Sequence, residues 1–273
     1  MRSKHLVVAA VAAFSPALLP GMGQAAGLER LTILDCGRNV VKDQSKWSPG
    51  HNVGKVKEFS NNCYLIKHAK GLLLWDTGVP DALVKRPNGL TVARGLITLY
   101  RAKTLASQLQ ALGAPPAKID YVAVSHIHGD HAGNLKAFKT SKILMQKAEY
   151  EAGAKAKAPP FTKDQTIVKL DGDHDVFGDG SVIILSTPGH TVGHQSLLVR
   201  LPKTGALVLS GDAVHFKWNW DNKGVPAFNF SKPQTAASME RIAGVLAKYK
   251  ATLWINHDAS QTATLKRAPA YYE

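Results

Sequence analysis

The stretch Ser125-His126-Ile127-His128-Gly129-Asp130-His131-Ala132-Gly133-Asn134 decides the fold predicted for this chain. It places three histidines and one aspartate within six residues, directly after the apolar run 121–124. Imidazole and carboxylate together suit Zn²⁺ and similar first-row metals. Four ligands so close in the chain cannot easily converge on one tetrahedral ion, so the pattern favours two ions side by side. An ordinary polar loop is disfavoured, because the chain has only 11 histidines among 273 residues.

Local geometry supports the prediction of two ions. Side chains on an extended segment alternate between faces, so we expect His126 and His128 to point the same way. Asp130 and His131 follow where the chain is expected to turn, with Gly129 giving the backbone the freedom to do so. One pair is then expected to bind one ion and the next pair a second.

Three further strand-like runs end near residues that can bind metal. The runs and the residues after them are Val182–Leu185 with His190, Ala206–Leu209 with Asp212, and Thr252–Leu253 with His257. Catalytic residues commonly lie on loops that a rigid sheet holds in place. A single histidine or aspartate in such a place would more often be structural, but the same arrangement at four strand ends favours a shared site.

These residues resemble the ligand pattern of the metallo-β-lactamase superfamily. The run 72–75 and the turn Asp76-Thr77-Gly78 are similar to an early strand and turn of that superfamily. The resemblance extends from about Leu31 to the C-terminus. Within the superfamily the chain looks most like the N-acyl-homoserine lactonases, through segments 125–134, 187–198, 210–213, 256–258 and 265–272. The resemblance implies an α/β fold, the αββα sandwich, with two metal ions at one edge.

The resemblance also implies a role for each ligand. One ion would be bound by His126, His128 and His190, the other by Asp130, His131 and His257, with Asp212 as the bridge. Two Zn²⁺ per chain are expected, although these ligands also accept Fe, Mn or Co. Two adjacent cations lower the pKa of bound water. The implied reaction is attack of a metal-bridging hydroxide on a lactone or ester carbonyl, with Asp130 passing a proton to the leaving oxygen.

His215 departs from the lactonase pattern. Homoserine lactonases usually carry a tyrosine three residues after the bridging aspartate, where it helps to hold the lactone carbonyl. In this chain that position is His215. Because imidazole can also donate a hydrogen bond to a carbonyl, we predict His215 as a catalytic residue beside Asp130. The alternative is that His215 only fills the rim of the pocket.

Residues 1–25 are typical of a signal peptide. Arg2 and Lys4 precede an apolar stretch shorter than the roughly 20 residues that span a bilayer. Small residues at 23–25 suit cleavage after Ala25. We therefore predict a periplasmic or secreted protein without stable membrane insertion, the alternative being an uncleaved anchor. Residues 26–273 are long enough for one hydrolase domain of this fold.

The net charge of +14 is spread along the chain and indicates a solvated basic surface. Such a surface also suits anionic lipid headgroups or acidic ligands. Export argues against nucleic acid as a partner, so a small-molecule lactone is the expected one. The oligomeric state stays open, with a homodimer as one option, and so does the acyl-chain preference. Cys36 and Cys63 could form a disulfide after export or stay free, and their spacing does not decide.

Hydrophobic periodicity outlines the remaining elements. It predicts helices at 104–112, 134–138 and 233–249, the first ending at Gly113. Strands are predicted at 31–34, 62–67, 71–75, 143–145, 182–185, 196–201, 206–209 and 253–256. Segments 82–99 and 216–230 are less regular, and 152–160 is expected to be a surface loop. The aromatic residues of 216–230, together with Phe59, Leu90 and Leu96, either line an acyl-chain groove or pack beneath a loop.

Three other functions compete with lactone hydrolysis. β-Lactam hydrolysis fits export, but the β-lactamases of the superfamily generally lack an aspartate at the position of Asp212. A thioesterase would share the ligand set, but we expect no counterpart in this chain of the extra C-terminal helical region of that group. A metal-binding protein without catalysis is disfavoured by the complete set of ligands.

Overall fold

The computed structural model describes residues 27–273, which form thirteen strands and five α-helices. The strands are β1 Leu28–Val41, β2 Lys57–His68, β3 Gly71–Trp75, β4 Leu90–Val92, β5 Ile97–Tyr100, β6 Tyr121–Ala123, β7 Lys142–Gln146, β8 Thr166–Leu170, β9 His174–Asp175, β10 Val182–Ser186, β11 Gln195–Leu201, β12 Gly205–Leu209 and β13 Thr252–Trp254. The helices are α1 Leu105–Ala111, α2 Lys147–Ala154, α3 Lys217–Asn222, α4 Lys232–Tyr249 and α5 Ala259–Thr262.

The strands form two mixed sheets. The larger has eight strands in the order β4-β5-β1-β2-β3-β6-β7-β8, and the smaller has five in the order β13-β12-β11-β10-β9. Strands β3, β6, β7 and β8 run parallel to one another, and β13 runs parallel to β12. The carboxyl ends of β3 and β6 therefore meet at one edge of the larger sheet.

The main core lies between the two sheets. Ile33 and Trp75 of the larger sheet pack in one cluster with Ile184 and Leu197 of the smaller sheet. The strand residues that alternate with these core residues point to the outer face of each sheet. On the larger sheet they pack with the buried residues of α1, and on the smaller sheet with Ile242 of α4. The layers are helix, sheet, sheet and helix, which confirms the predicted αββα sandwich.

The two long helical predictions are confirmed, and their ends have local causes. Thr104 caps α1 by accepting a hydrogen bond from the Ser107 amide, and Ser231 caps α4 through the Gln234 amide. Gly113 follows α1 with a φ of 71°, a left-handed conformation that favours glycine. The short predicted helix at 134–138 is a single 3₁₀ turn, Leu135–Ala137.

Several strand predictions were too short, and one irregular segment contains strands. β1 and β2 extend well beyond the predicted 31–34 and 62–67. The added parts of these strands contain buried polar residues, such as Asn39 in β1 and Asn61 in β2. Segment 82–99 contributes β4 and β5, and β5 pairs with β1. The predicted loop at 152–160 begins inside α2, which ends at Ala154. Buried polar side chains and short edge strands leave no clear hydrophobic period, which explains these errors.

Cys36 and Cys63 form a disulfide that joins β1 to β2. Both are fully buried, and their Cα atoms lie 5.7 Å apart. Closing a chain separation of 27 residues removes entropy from the unfolded state and stabilises the fold by on the order of 3 kcal/mol. The spacing of the two cysteines did not decide whether they pair. The register of β1 and β2 decides it, because Cys63 lies opposite Leu34, next to the β1 bulge that contains Cys36.

The predicted signal peptide at 1–25 lies outside the described residues, and the domain boundaries at 26–273 stay a prediction. Within residues 27–273, no helix combines the length and apolar character needed to cross a bilayer.

Candidate metal centre

All seven predicted metal ligands lie together at one edge of the sandwich. Each follows a strand: β6 leads into 126–131, β10 into His190, β12 into Asp212 and β13 into His257. Segment 126–131 is not extended as predicted, because β6 ends at Ala123 and the chain then turns. It is a compact loop in which the amides of His131 and Ala132 donate to the His128 carbonyl. The histidine side chains converge through this turn, not through strand alternation.

The first group of ligands is His126, His128 and His190. Their ligand atoms lie within 4.8 Å of one another. His126 Nε2 is 2.8 Å from His128 Nδ1, and His190 Nε2 is 3.0 Å from that same atom. His126 and His190 are buried, whereas His128 is exposed. Three imidazole nitrogens therefore face one point from two different loops.

The second group is Asp130, His131 and His257, again with ligand atoms within 4.8 Å. His131 Nε2 and His257 Nε2 are 3.2 Å apart, and Asp130 Oδ2 lies 3.7 Å from His257 Nε2. Both histidines are fully buried, while the aspartate is partly exposed towards a cavity.

Asp212 lies between the two groups. Its Oδ2 is 3.4 Å from His190 Nε2 and 3.9 Å from His126 Nε2, in the first group. Its Oδ1 is 3.2 Å from His131 Nε2 and 3.1 Å from His257 Nε2, in the second. Oδ1 is buried and has no hydrogen-bond partner among the described residues. Oδ2 also lies 3.2 Å from His257 Nε2, so one carboxylate lies within reach of both groups, as a bridging ligand does.

These residues fit two divalent cations. Each group offers neutral-imidazole or carboxylate donors suited to zinc and related metals. The buried Asp212 Oδ1 without a hydrogen bond is a second sign, because such an atom is costly unless a cation or donor satisfies it. The ligand set is therefore complete for two ions, although these donors do not distinguish zinc from Fe, Mn or Co.

Hydrogen bonds to the outer ring nitrogens orient three of the histidines. His131 Nδ1 lies 2.9 Å from Asp76 Oδ2, and His257 Nδ1 lies 2.9 Å from the Ser60 carbonyl. His190 Nδ1 is 3.1 Å from Asn229 Oδ1. In each case Nε2 is left facing the centre, which is the arrangement that tunes and orients metal-bound histidine.

Sequence reasoning missed the supporting role of three residues. Asp76 was noted as a landmark of the resemblance, but it holds His131 and also accepts the Ser125 amide. Asn39 donates to Asp130 Oδ2 at 2.7 Å. The backbone amide of Asp212 donates a hydrogen bond of 2.8 Å to Nε2 of His194. The Asp-Thr-Gly turn and the second histidine of 190–194 were available signals, whereas Asn39 had none.

The charges of the centre are set by burial and by its own neighbours. Burial lowers the pKa of His126 and His190 well below the usual value, so these rings are neutral near pH 7. Burial raises the pKa of Asp212, but His257 and His131 outweigh it and hold the pKa well below the usual value. Burial likewise lowers the pKa of His194 to about 4, so this ring stays neutral and can accept the Asp212 amide.

His131 behaves differently. Its burial lowers the pKa, but the carboxylates of Asp212 and Asp76 outweigh this effect and raise the pKa well above the usual value. At His257 burial also lowers the pKa, and the carboxylate of Asp212 outweighs burial and raises the pKa above the usual value. Cation binding to these two rings therefore competes with protons.

His215 is buried and lies within the centre, not on the pocket rim. Its side chain is 1 % exposed, and its Nε2 is 3.2 Å from Asp212 Oδ2. The ligand atoms of His190, Asp212 and His215 lie within 4.8 Å of one another. The ring also stacks on His257, with centroids 5.6 Å apart. The rim-filling alternative is therefore wrong.

A cavity of about 380 Å³ opens beside the ligands. The candidate ligands form one wall together with Asn39 and Gly129, and apolar residues form the rest; the ligands that line the cavity are His128, Asp130, His190, Asp212 and His257. These apolar residues are Val41, Trp47, Phe59, Val92, Ile97, Leu99 and Phe228. Of the predicted groove residues, Phe59 and Phe228 line the cavity; Trp218, Trp220, Phe230, Leu90 and Leu96 do not. The cavity can hold a polar reacting group at the ligands and an apolar chain beyond it.

Comparisons with known proteins agree with this geometry. Residues 56–249 match the family model of the metallo-beta-lactamase superfamily. The chain is 34% identical to the N-acyl homoserine lactonase AttM of Rhizobium johnstonii over 230 residues, which cover 77% of this chain and 86% of that protein. It is 32% identical to an N-acyl homoserine lactonase of a Bacillus species, over 89% of this chain and 99% of that one.

Solved structures are similar over the same extent. A variant of AiiA from Bacillus thuringiensis, with N-decanoyl-L-homoserine bound at its active site, superposes with a TM-score of 0.79 at 28% identity. An N-acyl homoserine lactone hydrolase with N-hexanoyl-L-homoserine at its catalytic metal centre gives a TM-score of 0.79 at 29% identity. Each comparison covers 90% of this chain and 99% of the other.

Proposed function

This chain belongs to the metallo-beta-lactamase superfamily and is most similar there to the N-acyl homoserine lactonases, and from that premise we propose that it is a metal-dependent N-acyl homoserine lactone hydrolase. The observation that carries the proposal is Asp212, whose two oxygens face two separate groups of ligands beside an apolar cavity. Opening such a lactone would remove a signalling molecule, which is quorum quenching.

The metal-binding roles follow from the geometry. His126, His128 and His190 would hold one cation, Asp130, His131 and His257 the other, and Asp212 both. When bound, the two cations supply Lewis acidity, which activates water near neutral pH and polarises a carbonyl. We take two Zn²⁺ as the working assignment, with Fe, Mn or Co as alternatives that metal analysis would distinguish.

Asp130 is the proposed proton carrier. Its carboxylate lines the cavity, and Asn39 fixes its Oδ2. Burial raises its pKa, but the charges of His131 and His257 outweigh burial and lower it, so the carboxylate is ionised near pH 7. It can accept the proton released by the attacking water and then donate it to the ring oxygen that leaves as the lactone opens.

His215 is the second proposed catalytic residue. Its imidazole lies beside the candidate ligands His190 and Asp212, with the ligand atoms of all three within 4.8 Å of one another. Burial lowers the pKa of His215, so the ring is neutral near pH 7 and carries one N–H. That N–H can donate to the carbonyl oxygen and stabilise the charge that develops there.

The apolar wall of the cavity favours an acyl chain as the rest of the substrate. Trp47 packs edge-to-face on Phe59 and on Phe228, with centroids 5.2 and 5.4 Å apart. Burying an alkyl chain against this cluster contributes roughly 0.8 kcal/mol per methylene group. A volume of about 380 Å³ suits a medium-sized substrate.

The proposal is tested with purified mature protein of measured metal content. Acid release is followed for homoserine lactones of increasing acyl length, and a β-lactam and a thioester serve as comparison substrates. We expect lactone opening that scales with metal occupancy and a higher kcat/KM for longer acyl chains. Fully metal-loaded protein that opens no lactone but cleaves either comparison substrate would assign it to another branch of the superfamily.

We also propose that the chain is exported to the periplasm or secreted. Support comes from residues 1–25, which are typical of a signal peptide, and from the buried Cys36–Cys63 disulfide, since disulfides persist mainly in oxidising compartments. Fractionation of cells that express the full chain, with mass spectrometry of the mature N-terminus, tests it. We expect a periplasmic or secreted product that begins at Ala26; an uncleaved cytoplasmic product would contradict the proposal.

A further inference from the structure

A second cavity, of about 520 Å³, lies on the other face of the strands that border the metal centre. On β1, Asn39 lines the metal-side cavity, while its neighbour Arg38 lines the second one. On β2, Phe59 lines the metal-side cavity and its neighbour Ser60 lines the second one. Successive strand residues point to opposite faces, so one pair of strands borders two separate sites.

Arginine dominates the second cavity, which we call the arginine pocket. Its four arginines come from four separate parts of the chain: Arg38, Arg86, Arg101 and Arg267. Only two carboxylates, those of Asp35 and Glu58, line the same cavity. Arg101 is also paired with Asp81, which lies outside the lining, so these groups together carry one net positive charge in a partly open cavity.

Two of the arginines have structural partners. Arg101 is buried; its Nη1 donates to the Cys36 carbonyl at 2.7 Å, and its Nη2 lies 3.0 Å from an oxygen of Asp81. Arg38 pairs with Glu58 at 3.0 Å. These two side chains shape the pocket and are already neutralised.

The other two arginines have no carboxylate partner. Neither Arg86 nor Arg267 forms an ion pair within residues 27–273. Arg267 donates from Nη2 to Asn62 Oδ1 at 2.7 Å, but its Nε is buried and has no hydrogen-bond partner in that part of the chain. A buried donor of a charged group is costly when it lacks an acceptor. The pocket therefore offers two uncompensated guanidinium groups, one with a donor that needs an acceptor.

We propose that the arginine pocket binds a small organic dianion, either a phosphate monoester or a dicarboxylate. Guanidinium groups pair with phosphate and carboxylate through two parallel hydrogen bonds. Arg86 and Arg267 can each pair with anionic oxygens of a dianion, whereas a small monoanion would leave one of them without a partner. Pro87, Ala102, Ala259 and Leu265 supply apolar wall for the carbon skeleton. This site shares no metal ligand with the catalytic centre, so the inference does not depend on the proposed lactone hydrolysis.

Isothermal titration calorimetry on the metal-loaded full-length mature protein tests the inference. The probes are phenyl phosphate, succinate and, as a monoanion, acetate, all at one ionic strength. We expect saturable binding of phenyl phosphate, succinate or both, and weaker binding of acetate. Whichever dianion binds more tightly identifies the ligand class. Absence of saturable binding for both dianions overturns the proposal.

Charge-removing variants locate the binding site. We expect Arg267→Gln and Arg86→Gln each to weaken dianion binding about tenfold or more, the loss expected for one charge-assisted contact. Arg94→Gln is the matched control, because Arg94 is exposed and lies outside the cavity. Arg86 has no partner to lose, so this variant remains informative if Arg267→Gln fails to fold. Binding that is equally strong in all three variants would place the anion at the metal centre or on the general surface, and would overturn the proposal.

Discussion

Two buried histidine–aspartate pairs in this protein look alike locally and differ in what they can do. His131 Nδ1 lies 2.9 Å from Asp76 at the metal centre, and His68 Nε2 lies 2.9 Å from Asp179 at the far end of β2. Both histidine side chains are fully buried. His131 keeps Nε2 directed at Asp212 and His257. His68 uses its other nitrogen, Nδ1, to accept the amide of Lys70.

The difference lies in the second ring nitrogen. His68 has both nitrogens occupied and stacks on Phe177 at 4.0 Å, so its pair with Asp179 joins the end of β2 to the loop between β9 and β10. In the His131 pair the aspartate orients the ring and leaves one nitrogen free among other ligands. A buried pair thus becomes a metal ligand only where a nitrogen is free and further donors converge on it.

The largest effect is expected at the point where the ligands converge. Asp212→Ala removes the carboxylate that faces both groups, so kcat should fall on the order of 10³-fold or more, together with metal content. Initial rates with a homoserine lactone and metal analysis by mass spectrometry measure both. Asp221→Ala is the control, since Asp221 is exposed and pairs with Lys217. Wild-type turnover by Asp212→Ala would exclude a two-metal mechanism.

The same substitution made in each pair tests the comparison directly. Asp76→Asn weakens the orientation of His131, and metal affinity should fall about 10- to 100-fold. Asparagine suits the left-handed backbone of residue 76, whose φ is 59°. Asp179→Asn should leave metal affinity unchanged. Competition with a chromophoric chelator measures both variants, and equal losses of affinity in the two would refute the distinction.

Asp179 should show its contribution in stability and in its pH dependence. Burial raises the pKa of Asp179, but hydrogen bonds from Ser181 and His68 outweigh burial and lower the pKa to about 2. A pKa below the unfolded value of 3.8 means that the stabilisation is complete above about pH 4 and is lost as pH falls towards 2. Asp179→Asn should reduce the free energy of unfolding by about 1 kcal/mol at pH 7.

Urea unfolding of the wild type and of Asp179→Asn between pH 2 and pH 7 measures this difference. The difference between the two proteins should shrink as the pH falls, since metal loss at low pH affects both equally. If the difference in the free energy of unfolding stays constant over that range, ionisation of the Asp179 carboxylate is not its cause.

The smallest effect is expected at His215, where one donor replaces another. His215→Tyr should retain or raise kcat/KM for lactones, because a phenol can donate to the same carbonyl. His215→Phe is the matched control of similar shape without a donor, and its kcat should fall about tenfold. Steady-state rates and thermal midpoints separate catalysis from folding. Equal activity of the phenylalanine variant and the wild type would leave His215 without a catalytic role.

The metal ligands could be predicted because the evidence for them is local. His126, His128, Asp130 and His131 are crowded into six residues, and the remaining ligands each follow an apolar run. The supporting residues could not be predicted in the same way. Asn39 meets Asp130 across 91 residues, and His257 meets the Ser60 carbonyl across 197. Such contacts depend on which strands pair and in which register, and no local pattern records that.

The amino-acid sequence by itself indicated the sandwich class and the candidate metal-ligating residues, since the motifs that carry the family resemblance and the ligand chemistry are properties of short segments. It also placed an imidazole at position 215. Only the tertiary structure decided that Cys36 pairs with Cys63, that Asp76 orients His131, and that four distant arginines share one cavity. These outcomes depend on strand register and on the direction of each side chain, which are set when the two sheets pack together.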